Sequence, residues 1–238
     1  MVGLSNYLDI LTDPKFGTSL LNTLFFVFVG MSVTVGIGMG LAMAVNSNVR
    51  GRTVARVAVV IPWVLCEVIV GLTWQWMFND QFGLANSLLG KLGINRVSWL
   101  ADPRMARISI LIAVVWQSIA YSMLLIQAAL QGISEELYCA ARVDGASPWQ
   151  CFIYMTLPLL RPTLMVLIIM VSLHRFNMFT LNMVLTGGGP GHATSVLGLY
   201  MYEQGFQMFN FGYGSAVAVI MFAINLVFTA VYIKAFNS

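Results

Sequence analysis

Charge is what this sequence has least of. Only 9% of its 238 residues are Asp, Glu, Lys or Arg, against about a quarter in a soluble domain, while 59% are hydrophobic. A water-soluble fold is excluded, and the chain reads as a membrane protein. The net charge of +3 is too small, and the arginines too scattered, for a nucleic-acid partner. Cysteine is scarce too: Cys66, Cys139 and Cys151 have neither metal-ligand nor disulfide spacing and read as free thiols. With His174 and His192 as its only histidines, the chain has no HExxH motif; it also lacks GxSxG and any membrane carboxylate pair, which argues against an intramembrane hydrolase. The run Gly187-Gly188-Gly189-Pro190-Gly191 lacks the Lys-Ser/Thr that completes a phosphate-cradling loop, so no ATP site is expected here, and no metal site. Met1 to Phe16 has none of the parts of a signal peptide and reads as a polar lead-in.

What is present is long apolar runs. No charged residue occurs from Phe16 to Val49, enough for one membrane helix, with Gly36 and Gly40 as a small-residue pair for close helix packing. Arg50, Arg52 and Arg56 then form a basic turn, placed on the cytoplasmic side by the positive-inside rule. The expected spans cover residues 17–45, 57–78, 108–130, 162–185 and 213–233. Trp74 and Trp76 end the second at the interface, and a short surface helix is expected at 84–92 in the outer connection that follows. Five spans put the amino terminus outside and the carboxyl terminus inside. Basic residues number six on the proposed inner side (Arg50, Arg52, Arg56, Arg142, Arg161, Lys234) and five on the outer (Lys15, Lys91, Arg96, Arg104, Arg107), so orientation rests on the arginine cluster and on the loop described next.

That loop, residues 134–161, is the one long stretch where charges, a turn and two helix starts coincide. Ser134 can cap a helix whose first turn holds Glu135 and Glu136 at the positive end of the dipole. Leu137, Ala140 and Ala141 share a face. Asp144-Gly145 signals a turn, and Ser147-Pro148-Trp149-Gln150 restarts a helix with a capping box. Leu157, preceding Pro158, is biased away from helix, so the second helix is expected to end there.

The run Glu136-Leu137-Tyr138-Cys139-Ala140-Ala141-Arg142-Val143-Asp144-Gly145-Ala146, closed by Leu157-Pro158, resembles the EAA loop of permease subunits in binding-protein-dependent ABC importers. Cys139 departs from it, standing where the motif has glutamate and removing the basis for a salt bridge there. Gly71-Leu72-Thr73-Trp74-Gln75-Trp76, Phe82-Gly83-Leu84-Ala85-Asn86, Leu185 to Gly191 and Phe209-Asn210-Phe211-Gly212 extend the resemblance to the maltose-type, carbohydrate-importing branch. The resemblance implies an all-α polytopic membrane protein, one permease domain over residues 1–238, with about five transmembrane helices and a cytoplasmic coupling loop. It implies a sugar or sugar-like solute, a second homologous permease, two cytoplasmic ATPase subunits that bind ATP and Mg, an extracytoplasmic solute-binding protein met near the glycine run, and a bacterial inner membrane. ATPase contact falls on Glu135, Glu136, Tyr138, Cys139, Ala140, Ala141, Asp144, Gly145, Ala146 and Ser147. Sugar-type permeases carry one more helix before Gly3-Leu4-Ser5-Asn6-Tyr7, and that helix is missing from this sequence.

Two charges lie inside the expected spans. Glu67 sits ~14 Å and Arg175 ~20 Å from their cytoplasmic ends, so long side chains can meet. Neither is expected to face lipid, where each costs about 2.5–3.5 kcal/mol. They read equally as a buried pair that fixes helix packing and as part of a solute path with His174 and Asn177. Gln117, Ser118 and Tyr121 on the third span, near Trp116, complete that path; its aromatic and polar groups suit a sugar, and the arginine would suit a phosphate or carboxylate on it. The pair also fits an autonomous secondary carrier or channel, against which the EAA-like loop argues.

Overall fold

The computed structural model describes residues 4–46 and 52–237; Gly3, Arg50 and the side chain of Arg52 lie outside the described residues. Among these the regular structure is entirely helical. Four helices are long and apolar enough to cross a membrane, five if one bent pair is counted as a single span.

The lead-in is itself a helix, α1 (Ser5–Thr12), which buries Ile10 against the last helix of the chain. Asp13 stops it and caps the next, accepting the Lys15 amide at 2.8 Å while Pro14 takes the first helical position, where a missing amide costs nothing. Helix α2 (Pro14–Asn46) then runs 33 residues, with a π-helical turn at Phe26–Gly30. The expected Gly36–Gly40 packing pair is not used: a Cβ on either would meet nothing within 4 Å. Gly38 is the contact residue, because its own face of α2 turns toward the central helix; a Cβ there would lie 2.6 Å from that of Ser122.

The second expected span is broken. Helices α3 (Arg52–Val64) and α4 (Glu67–Met77) meet at a bend of 103°. Pro62 withholds an amide from the preceding turn, and Cys66 is extended, with φ −68° and ψ 149°. The carbonyl freed at Leu65 accepts the Gln117 side-chain amide at 3.2 Å, which satisfies that group at the break. Glu67 therefore opens a helix instead of sitting in the middle of one.

A short helix, α5 (Leu84–Lys91), follows. Buried Asn86 ties it to Val97 and Trp99 through four bonds of 3.0–3.4 Å that also include Asp80. Helix α6 (Pro103–Gln131), capped by Asp102, is the axis of the bundle, packed against α2, α3, α4 and the helices that follow. After the short helix α7 (Glu135–Val143), α8 (Pro148–Phe176) continues straight through Leu157 and Pro158, contrary to expectation. A π turn at Phe152–Thr156 explains this: Leu157 donates to Phe152, five residues back, so the amide that Pro158 lacks falls at the start of a new α-helical register. The span also ends at Phe176, nine residues before the expected 185. Residues 180–186 form a separate helix, α9 (Thr180–Thr186), laid against α4. The glycine run makes a turn with Gly187, Gly188 and Gly191 at positive φ. Helix α10 (Leu197–Tyr202) and α11 (Phe211–Asn237) close the chain.

Three apolar clusters form the core. One gathers Phe26, Val70, Ile110, Leu181 and Leu199, a second Phe16, Phe176, Tyr200 and Val217, and a third Ala42, Met123, Ile126 and Leu164 near the ends of α2 and α6. Outward faces stay apolar: Ile61, Ile69, Leu72, Phe222, Leu226 and Val231 are all exposed, as suits surfaces facing lipid or another apolar helix.

Candidate functional site

Midway along α6, the bend in α3–α4, the centre of α6 and the last third of α8 enclose a cavity of about 380 Å³. Gln117 on its wall lies ~21 Å along the helix from either end of α6. The expected path residues Glu67, Gln117, Ser118, Tyr121, His174 and Arg175 all line it, joined by Trp63, Met170 and Val171. Asn177 does not. It follows the last residue of α8, is exposed, and donates to its own Leu173 carbonyl at 2.8 Å. Trp63 escaped the sequence reading because only the bend turns it inward; its ring lies 6.2 Å from that of Tyr121, tilted 31°.

Arg175 and Glu67 do not pair. The guanidinium is buried, with 2% of the residue exposed, and its Nη2 donates to the Val114 carbonyl at 3.1 Å, to Thr34 Oγ1 at 3.4 Å and to Ser118 Oγ. Arg175 thus pins α2 and α6 to α8. Glu67 Oε1 instead faces His174 Nε2 at 3.5 Å across the cavity, both side chains partly solvent-exposed. The cavity combines an aromatic wall from Trp63 and Tyr121, a carboxylate, an imidazole and a side-chain amide. Such a surface accepts and donates hydrogen bonds around a solute whose faces are apolar. Among the described residues no group of three His, Cys, Asp or Glu side chains comes together to hold a metal ion.

The loop 134–161 lies at the end of α6 remote from Pro103. The Glu136 amide donates to Ser134 Oγ at 3.3 Å, with Glu135 and Glu136 in the first turn of α7. Asp144 ends the helix, and Gly145 turns the chain at φ +83°, a conformation that side chains resist. The Ser147–Gln150 capping box starts α8 with bonds of 2.8 and 3.3 Å. Arg142 folds back onto the Tyr138 carbonyl and donates to Cys139 Sγ at 3.3 Å. Glu135, Glu136, Cys139, Ala140, Asp144, Gly145 and Ser147 are exposed, while Tyr138, Ala141 and Ala146 are half-buried. Not one residue of α7 is buried, and Val143 (88%) and Trp149 (69%) present large apolar groups to the outside. A polar loop with an uncovered apolar surface is built to be covered.

A bundle of membrane-spanning helices around a polar, mid-depth cavity, with an uncovered helix-turn-helix at one end, defines a polytopic transport protein. The chain belongs to the family of binding-protein-dependent transport system inner membrane components, whose sequence pattern matches residues 36–233. It is 40% identical over 233 residues to the trehalose/maltose transport system permease protein MalF of Thermococcus litoralis, covering 98% of this chain and 79% of that one. To the sulfoquinovosyl glycerol transport system permease protein SmoG of Agrobacterium fabrum it is 34% identical over 233 residues, covering 98% and 76%. Its fold matches a crystal structure of a bacterial ABC transporter that imports the acidic polysaccharide alginate, with a TM-score of 0.91 and 23% identity over 100% of this chain and 84% of that one. It is thus a transport subunit and not an enzyme.

Proposed function

We propose that this chain is the permease subunit of an ATP-driven importer that moves a sugar or sugar-like solute through the cavity at Trp63, Glu67, Gln117, Tyr121 and His174. Relatives named for trehalose/maltose and sulfoquinovosyl glycerol transport support the solute class. So does the pairing of aromatic rings with a carboxylate and an amide in a space the size of a small ligand. The chain works with a second homologous permease, two cytoplasmic ATPases that bind ATP and Mg, and an extracytoplasmic solute-binding protein. The loop 134–161 faces the cytoplasm, as does the carboxyl terminus, and the described amino-terminal helix starts outside.

One observation carries this reading: α7 has no buried residue, yet it joins α6 to α8, the two helices that supply most of the cavity wall. An ATPase seated on Leu137, Val143 and Trp149 moves that wall when it closes, and so shifts the bundle between inward and outward openings. The test is purification of the membrane-extracted protein from its own cell, wild type against Gly145→Pro. Proline cannot adopt the φ of +83° found there, so the variant breaks the turn. An ATPase that accompanies the wild type and is lost from the variant supports the reading. A wild type that carries no ATPase, under conditions that keep complexes intact, overturns it.

A further inference from the structure

We propose that the hydroxyl pair Tyr138–Thr156 is the point where movement of α7 enters α8, and that the π turn Phe152–Thr156 is the joint on which it acts. This rests on the coupling reading above. The oxygens lie 2.9 Å apart and join α7 to a residue 18 positions later in the chain. Thr156 is buried, and its hydroxyl also lies 3.3 Å from the Cys151 carbonyl, an acceptor for its proton when Tyr138 donates in the pair. Because no residue of α7 is fully buried and only Tyr138 and Ala141 are half-buried, covalent connections at its two ends would hold it only weakly. The Tyr138 hydroxyl supplies a third attachment, located where α8 is least regular.

The π turn gives that location its meaning. Leu157 donates to Phe152, five residues back, and Pro158 has no amide to donate. The backbone here is held by fewer i→i+4 bonds than the rest of the span, and such turns are where helices bend. A pull on Thr156 therefore acts on the turn between the short first segment of α8, Pro148–Cys151, and the length that carries Met170, Val171, His174 and Arg175 into the cavity. Tyr138 and Thr156 are positioning residues and touch no solute.

The experiment uses the assembled transporter in lipid nanodiscs, with Cys66, Cys139 and Cys151 replaced by serine and a reporter thiol at Met170→Cys, half-exposed at the cavity. Its maleimide labelling rate is read with and without ATP plus vanadate. The nucleotide is expected to change that rate in the parent. Tyr138→Phe and Thr156→Val should each reduce the change about fivefold, the effect of one ordinary hydrogen bond, and Thr156→Val, buried and outside the expected ATPase contact, should do so while its ATPase subunits still co-purify and hydrolyse ATP. Thr156→Ser, which keeps the hydroxyl, should respond as the parent does, and the double variant should be no worse than either single one. A full response in Thr156→Val, or an equal loss in Thr156→Ser, overturns the proposal. If Tyr138→Phe fails to assemble, the Thr156 pair decides alone. A parent that binds ATPase yet shows no nucleotide response is a distinguishable failure, since it sinks the coupling reading itself.

Discussion

His174 Nε2 stands 3.5 Å from Glu67 Oε1, so the mouth of the cavity is bridged from the broken span to α8 by a carboxylate and an imidazole. Each side chain also reaches solvent, which leaves both able to turn to a solute hydroxyl. If they do, Glu67→Gln removes a charged acceptor and should weaken binding of a neutral sugar about tenfold, the lower end of what a charged hydrogen bond contributes. Trp63 fluorescence, titrated with trehalose, maltose and a uronic acid, reads this directly. Unchanged affinity for a sugar that binds the wild type would show that Glu67 only fastens His174. Tighter binding of the uronic acid by the variant would show that Glu67 screens out anions.

Arg175 should behave differently. Its Nη2 is committed to Thr34, Val114 and Ser118, and its Nε is buried without a partner, so the group serves packing first. Arg175→Ala leaves the Val114 carbonyl and two hydroxyls to find other partners. The expected cost is about 3 kcal/mol, seen as a lower midpoint of thermal unfolding in detergent and a smaller yield of assembled complex. Loss of solute selectivity with an unaltered unfolding midpoint would reverse the assignment.

Glycine positions on α2 give a contrast within one helix. Gly38→Ala places a methyl group 2.6 Å from the Ser122 Cβ and should destabilise the bundle by about 1–3 kcal/mol through forced separation of α2 and α6. Gly40→Ala meets nothing within 4 Å and should be neutral, or stabilising by up to about 1 kcal/mol through helix propensity. Melting temperatures of the two variants in one detergent decide it; equal shifts would mean that α2 does not pack through Gly38.

Local and long-range determinants divide this chain. Long uncharged runs specify spans without tertiary information, and the capping residues Ser134 and Ser147 act within a few positions of themselves, so both are legible. Pro62 and Pro158 are not equivalent, although both lie in apolar runs. The first ends a helix within three residues, because Cys66 takes an extended conformation and Gln117 satisfies the carbonyl at Leu65. The second is absorbed by a π turn that Thr156 and Tyr138 support. Which outcome follows depends on partners 18 to 52 residues away, which local pattern does not contain. The Glu67–Arg175 pairing failed for the same reason: depth along each helix was close, but the bend rotated Glu67 toward His174. Gly36 and Gly40 matched a spacing rule, whereas the face that α2 turns to α6 is set by the whole bundle and selects Gly38.

The junction of α1, α2 and α10 carries a pH-dependent element. Tyr200 is buried, its hydroxyl donating to Asp13 Oδ2 at 2.5 Å and lying 2.8 Å from the Tyr213 oxygen. Burial first, and then the hydrogen bond to Asp13, push the Tyr200 phenol well above its usual range. A group whose folded pKa is raised holds its proton more tightly when folded. Its contribution to stability is complete below the unfolded value, about 10, and is lost as pH rises beyond it. Unfolding midpoints in detergent between pH 8 and pH 11 should therefore be flat to about pH 10 and then fall, and Tyr200→Phe should fall less steeply above that point. Asp13→Asn should cost about 1–2 kcal/mol at neutral pH, because Asp13 both caps α2 and accepts this bond. The control is Tyr7→Phe, which leaves the Tyr200 network intact and should follow the wild-type curve. If Tyr200→Phe follows that curve as well, the alkaline loss comes from another group, and the link between α10 and the start of α2 does not govern stability at alkaline pH.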